Sequence, residues 1–196
     1  IQGAVFAVAN IVIQSAINSL GTIVMAASSA ALNLEVFTYD ILTSFGQACT
    51  TFTGQNYGAK KYSRCRQALK ISLLEGAIRL VISIGIVFIS GKYLLAIFNN
   101  DTKVIELGYT RLILVMSAHI FSLIYEVISG YLRGFGISLV PAILTTLGVC
   151  VVRIIWIKLY FPQHQTFEAI LMAYPISLSL TTVMMFAAKN CYRPTK

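Results

Sequence analysis

Between His119 and Arg133 the chain reads "HIFSLIYEVISGYLR", in which His119, Ser122, Glu126, Ser129 and Arg133 recur at alternating spacings of three and four residues. Such spacing puts all of them on one face of an α-helix. The remaining positions are almost wholly apolar, so Glu126 is a carboxylate set into hydrocarbon, roughly 10 Å inside the helix end at Arg133. An ionisable group at that depth is costly and is by default a functional-site candidate. Its available chemistry is to alternate between a charged and a neutralised form, by taking a proton or by binding a cation. The competing role is structural, as partner to a neighbouring arginine.

Three other segments carry polar residues in helical phase. Asn10, Gln14 and Asn18 recur at spacing four and lead to Gly21; Asp40, Thr43, Gln47, Thr51 and Gly54 form a second stripe; Thr146, Arg153, Trp156 and Tyr160 share a third face. Asn10, Gln14, Asn18, Gln47, His119, Ser122 and Arg153 are therefore candidates to line a hydrated interior and contact a substrate. The uncharged ones can equally serve as packing, since such groups bond across membrane helices at about 1 kcal/mol or less per contact. Asp40, the second coupling candidate, falls roughly 25 Å from the basic end of its segment, a depth that suits either coupling or a place at the outer interface. His119 and Arg153 come out at similar depth, roughly 20 Å from the basic side. A cation there would neutralise an acid or repel competing cations. Glu126 and Arg153 differ by about 12 Å in depth, so no direct ion pair is expected. Glu75 precedes Arg79 by one turn, the favourable order for an intrahelical pair, and that pair is read as structural.

Other chemistry is not indicated. No His/Glu metal pattern, Ser/Lys or Ser/His pair, or paired-aspartate motif occurs, so neither an enzyme nor a metal site is expected. Cys49, Cys65, Cys150 and Cys191 lie far apart and are read as free thiols in helices and at helix ends.

The elements that position these residues follow from composition. With 57% hydrophobic and 11% charged residues and a mean hydropathy of +0.78, the chain lies outside the globular range, where charged residues make up roughly a quarter. Six apolar segments are expected: Gly3 to Ala31, Val36 to Tyr57, Ile71 to Phe98, Val104 to Arg133, Ser138 to Phe161 and Phe167 to Ala188. Each is near or above the roughly 20 residues that span a bilayer as helix. Short polar links join them: "NLE", "GAKKYSRCRQALK", "NNDTK", "GFGI" and "PQHQT". The first segment is too long for a signal peptide and lacks its basic start and cleavage site. The chain starts at Ile1, and a longer parent protein is expected.

The net charge of +8 would suggest nucleic acid in a soluble protein, but here the bases cluster at the ends of apolar segments. They are read as topology signals, and nucleic-acid binding is not expected. Lys60, Lys61, Arg64, Arg66 and Lys70 place the Gly58–Lys70 loop in the cytoplasm, and Lys189, Arg193 and Lys196 place the carboxy terminus there. Alternation then puts Asn33 to Glu35, Asn99 to Lys103 and Pro162 to Thr166 outside. Lys60, Lys61, Arg64 and Lys70 are expected along one side of a short helix at the headgroup boundary. Pro141 falls in a first helical turn, where its missing N–H costs little. Pro175 is expected to kink the sixth helix near its middle, as a hinge or a static bend.

The run "QSAINSLGTIVMAASSAALNLEVFTYDILTSFGQACTTFTGQNYGAKKYSR", Gln14 to Arg64, resembles the carboxy-terminal half of the MATE family, the multidrug and toxic compound extrusion transporters. "SGYLRGFG", "VRIIWI" and "YPIS" fit later helices of that half. The motif positions are Gly54, Gln55, Asn56 and Gly58 in "GQNYGA" and Arg133 in "LRGFG". The resemblance implies an all-α integral membrane fold, in which this chain is a six transmembrane helix bundle, helices seven to twelve of a twelve-helix transporter. It implies a second, amino-terminal lobe as partner, a cleft opening alternately to either side of a cell membrane, and export of amphipathic, often cationic drugs coupled to H+ or Na+, with no other cofactor. Some sodium-coupled members hold the ion with a glutamate and an aspartate at positions that align with Phe6 and Ser122, so that site does not transfer. Glu126, one turn beyond Ser122, matches a glutamate of relatives carrying "LRG.G" and "RI.WI". The alternatives are a lipid-linked oligosaccharide flippase of the same superfamily, which tends to carry a more basic cavity, or another six-helix channel or transporter.

Overall fold

The computed structural model describes residues 2–192, with side chains from residue 5 onward. Among these residues every regular element is helical: α1 (Gln2–Ser19), α2 (Thr22–Gly58), α3 (Tyr62–Ala96), α4 (Thr102–Gly134), α5 (Leu139–Thr145), a π turn (Thr146–Val151), α6 (Val152–Leu159), α7 (Phe167–Leu171) and α8 (Ala173–Cys191). The stretch from α5 through the π turn to α6 forms one rod, and α7 with α8 another, giving six rods. Tyr62–Ala96, Thr102–Gly134, Leu139–Leu159 and Phe167–Cys191 are long and apolar enough to cross a membrane. A helix satisfies its own backbone hydrogen bonds, as hydrocarbon demands. α1 has 18 residues, at the short end of the spanning range; α2 has 37 but is broken up by Asn33, Asp40, Gln47 and many hydroxyls.

The core centres on α4, buried on most of its faces, while α3 presents Ile71, Leu74, Ile78, Val81 and Ile89 outward. α2 and α4 run parallel in close contact. Arg111 of α4 meets Ser28 and Glu35 of α2, and farther along Gly130 and Gly134 meet Gly46 and Thr53. A Cβ on Gly130 would overlap the Gly46 carbonyl, and one on Gly134 would come within 2.5 Å of Thr53 Cβ. Small residues one turn apart let the two backbones approach, and dispersion and short polar contacts then hold them.

Both helices end in the same way. Lys61 N–H donates to the Asn56 carbonyl and Lys60 N–H to Tyr57; Ile137 N–H donates to Leu132 and Gly136 N–H to Arg133. These are Schellman caps, with a left-handed residue just past the helix. Gly136 occupies that position at φ 82°, and Lys60 does so at φ 57°. The "GQNYGA" stretch is thus a helix terminus whose carbonyls are consumed by the turn. Tyr57 packs edge-on against Phe135, 5.0 Å between ring centroids, so the two turns lie at the same end of the bundle.

Four expectations are corrected. The first helix breaks at Leu20–Gly21, where Gly21 takes φ 102°, and not at Asn33 to Glu35. "NLE" is inside α2, because Glu35 finds a buried partner there and needs no loop. No separate surface helix carries the bases: a three-residue turn leads straight into α3, with Arg64 and Lys70 in its opening turns, and all four bases exposed. The sixth rod is interrupted at Met172, so that Pro175 lies in the first turn of α8. Proline has no N–H for the Leu171 carbonyl, and the helix restarts just after it. Lastly, Glu75 and Arg79 are both exposed and do not pair with each other. Cys49, Cys65 and Cys150 are buried free thiols and Cys191 is an exposed one. Arg193 and Lys196 lie outside the described residues.

Candidate functional site

Glu126 is held between two helices and its own turn. Oε1 accepts a hydrogen bond from the Tyr39 hydroxyl of α2 at 3.1 Å, and Oε2 lies 3.7 Å from Nη2 of Arg133, two turns along α4. The Glu126 side chain is 16% exposed and that of Arg133 40%. The contact with Tyr39 depends on the closeness of the backbones, since a Cβ on Gly46 would sit 3.0 Å from the Glu126 carbonyl oxygen.

A second charged group is wholly internal. Arg111 donates from Nε to Glu35 Oε1 at 2.8 Å and from Nη2 to Oε2 at 2.9 Å, with Nη1 bonded to Ser28 Oγ at 2.7 Å. This two-point pairing uses both carboxylate oxygens, the condition under which charges tolerate burial. Tyr174 of α8 lies beneath two guanidinium groups, with Arg111 Cζ at 5.5 Å and Arg153 Cζ at 4.3 Å from its ring centroid. Arg153 also donates from Nε to Ser177 Oγ at 2.9 Å.

Glu35, Tyr39, Tyr174 and Arg153 line a cavity of about 190 Å³, whose polar wall also includes Asn10, His119 and Ser122. His119 Nδ1 lies 3.2 Å from Ser122 Oγ, and its Nε2 is buried with no partner among the described residues. Phe6 also lines this cavity, so Phe6 and Ser122 face one space.

The MatE family model matches residues 1–157. This chain belongs to the MATE transporter family. Among curated MATE relatives, it is 25% identical over 128 residues to the probable multidrug resistance protein NorM of Chromobacterium violaceum, covering 65% of this chain and 28% of that protein. It is 28% identical over 134 residues to human multidrug and toxin extrusion protein 1, covering 68% of this chain and 23% of the relative. The matched region thus spans about a quarter of those proteins. The MATE fold is shared with solved structures: one described as MATE in the bent conformation aligns with TM-score 0.86 at 15% identity, over 99% of this chain and 43% of that one. An outward-facing multidrug resistance MATE transporter aligns with TM-score 0.83 at 17% identity, over 97% and 42%.

In this MATE chain the structure brings Asn10, His119, Ser122 and Arg153 to one cavity, with Glu126 joined to its wall through Tyr39. Gln14 and Asn18 bond each other at 2.9 Å on the exposed face of α1. Asp40 stands apart from the cavity: it is exposed, with Gln47 and Thr51 on the same outer face, and lies midway along α2 between Thr22 and Gly58. α2 continues for as many residues before Asp40 as after it. Of the motif residues, Gln55 and Asn56 supply capping carbonyls, Gly58 ends α2, Gly54 packs beside the Gly134 carbonyl and Arg133 faces Glu126.

Sequence reasoning missed Glu35, Tyr39, Arg111 and Tyr174. A signal existed for Arg111, which precedes His119 by two turns of four residues on the same stripe of an otherwise apolar run. For Tyr39 none did, since tyrosine is unremarkable in such a helix.

Proposed function

We propose that this chain is the carboxy-terminal lobe of a multidrug exporter that moves amphipathic, often cationic compounds out of the cell in exchange for H+ or Na+. Its amino-terminal lobe completes the cleft. Glu126 is the coupling residue, and its charged and neutralised forms favour different states of the transporter. The observation that carries this reading is the Tyr39–Glu126 hydrogen bond across the α2–α4 contact. A carboxylate whose partners come from two helices changes the energetics of that contact when its charge changes, and a coupling residue requires such a link. Membership of a transporter family supports the same reading. The Gly58–Lys70 loop and the carboxy terminus face the cytoplasm in this scheme, by the positive-inside rule.

The test is efflux of ethidium from cells expressing the full-length protein. Glu126→Gln, which keeps the shape and removes the charge, abolishes ion-coupled efflux while leaving expression and membrane insertion unchanged. Wild-type efflux rates in that variant would exclude Glu126 as the coupling residue.

A further inference from the structure

We infer that the cavity between α1, α2, α4, α6 and α8 binds a carboxylate, with Arg153 as its counter-charge and His119 as a second donor. This rests on the transport reading and names a class of compound that the exporter would take.

The first argument is charge. Arg153 is 9% exposed and forms no ion pair among the described residues. The acids near the cavity are already engaged: Glu35 gives both oxygens to Arg111, and Glu126 is turned to Tyr39 and Arg133. Asp40 is outside the wall. Counting Glu35, Arg111 and Arg153 together leaves one positive charge without a counter-charge among the described residues. A cation in the interior of a membrane bundle calls for an anion.

The second argument is hydrogen bonding. Among the described residues Arg153 uses one donor, Nε, on Ser177, and its guanidinium lies over the Tyr174 ring. That leaves four of the five guanidinium N–H donors without a hydrogen-bond partner among the described residues, on a side chain that lines the cavity. The fork of a guanidinium matches the two oxygens of a carboxylate. His119 in the same wall has a buried Nε2 without a partner. In the tautomer whose Nδ1 accepts from the Ser122 hydroxyl, the ring proton is on Nε2 and makes it a donor.

Size sets the rest. About 190 Å³ lies below the roughly 300–1,000 Å³ of drug-sized pockets. It accommodates a carboxylate with a short stem, and Phe6, Val115 and Leu178 give that stem an apolar wall.

The experiment is calorimetric titration of the full-length protein in phosphatidylcholine nanodiscs, in chloride-free sulfate buffer, with benzoate, benzamide and chloride as probes. Benzoate is expected to bind at least about tenfold more tightly than benzamide, which has the same outline without the charge. Arg153→Gln weakens benzoate by a similar factor, whereas Arg153→Lys retains part of the affinity. Equal binding of benzoate and benzamide to the unsubstituted protein overturns the proposal, whatever the fate of the variants. So does undiminished benzoate binding to Arg153→Gln, and so does tighter binding of chloride than of benzoate. Ethidium efflux separates the two readings. Efflux without benzoate binding removes the carboxylate site and keeps the exporter, and benzoate binding without efflux does the reverse.

Discussion

Arg111 and Glu35 form a two-point ion pair inside the bundle, at 2.8 and 2.9 Å, joining α4 to α2 far from the turns that end both helices. Removing one member leaves the other charge buried and unmatched, at a cost of about 3–5 kcal/mol. Arg111→Met and Glu35→Gln are each expected to lower the thermal midpoint of the detergent-solubilised protein steeply. The double variant recovers much of that loss, because neither charge then remains. Additive losses would show that the pair does not act as a unit.

Among the described residues, Tyr39 gives Glu126 its only hydrogen bond from another helix. A hydrogen bond to a charged group contributes about 1.5–3 kcal/mol. Tyr39→Phe is therefore expected to slow ethidium efflux by roughly tenfold or more without altering expression. Combined with Glu126→Gln it has no further effect, since the two residues act on one step.

Gly130 and Gly134 let α4 reach the α2 backbone. Gly130→Ala places a methyl group against the Gly46 carbonyl, and neither backbone can yield without separating the helices. A destabilisation of about 1–3 kcal/mol is expected, read as a lower melting temperature and early aggregation in size-exclusion chromatography. Gly58→Ala, where nothing lies within 4 Å of the added carbon, serves as the control and leaves the protein unchanged.

Lys60 takes the left-handed cap position at φ 57° that Gly136 fills in the equivalent turn. The left-handed conformation costs a residue with a Cβ about 1–2 kcal/mol. Lys60→Gly is expected to stabilise the protein by up to about 1 kcal/mol, and Gly136→Ala to destabilise it by a similar amount. Both appear as shifts in melting temperature of opposite sign.

Cys191 is the exposed thiol among the described cysteines. A membrane-impermeant maleimide is expected to label it in inverted vesicles and not in intact cells, which checks the cytoplasmic assignment of the carboxy terminus. Cys191→Ser removes the labelling of this lobe, because Cys49, Cys65 and Cys150 are buried.

What the chain determined by itself was local. Its hydropathy set six helical rods, its punctuation marked four of the five turns, and the spacing of His119, Ser122, Glu126 and Arg133 placed them on one face of α4. The stretch "GQNYGA" carried the resemblance to MATE transporters, and the matching family region bears that out. Tertiary structure decided what those faces meet. The break at Gly21 was hidden because apolar residues run through it on both sides, and only a backbone angle of φ 102° marks the turn. Glu35 looked like a loop residue until α4 brought Arg111 to it, and Asp40 shared a stripe with Gln47 that turns out to face away from the lobe. Periodicity reports which residues of one helix share a side. Which helix covers that side, and at what register, depends on the close approach of Gly46, Gly130 and Gly134. That contact joins residues some 80 positions apart, beyond the reach of any local pattern.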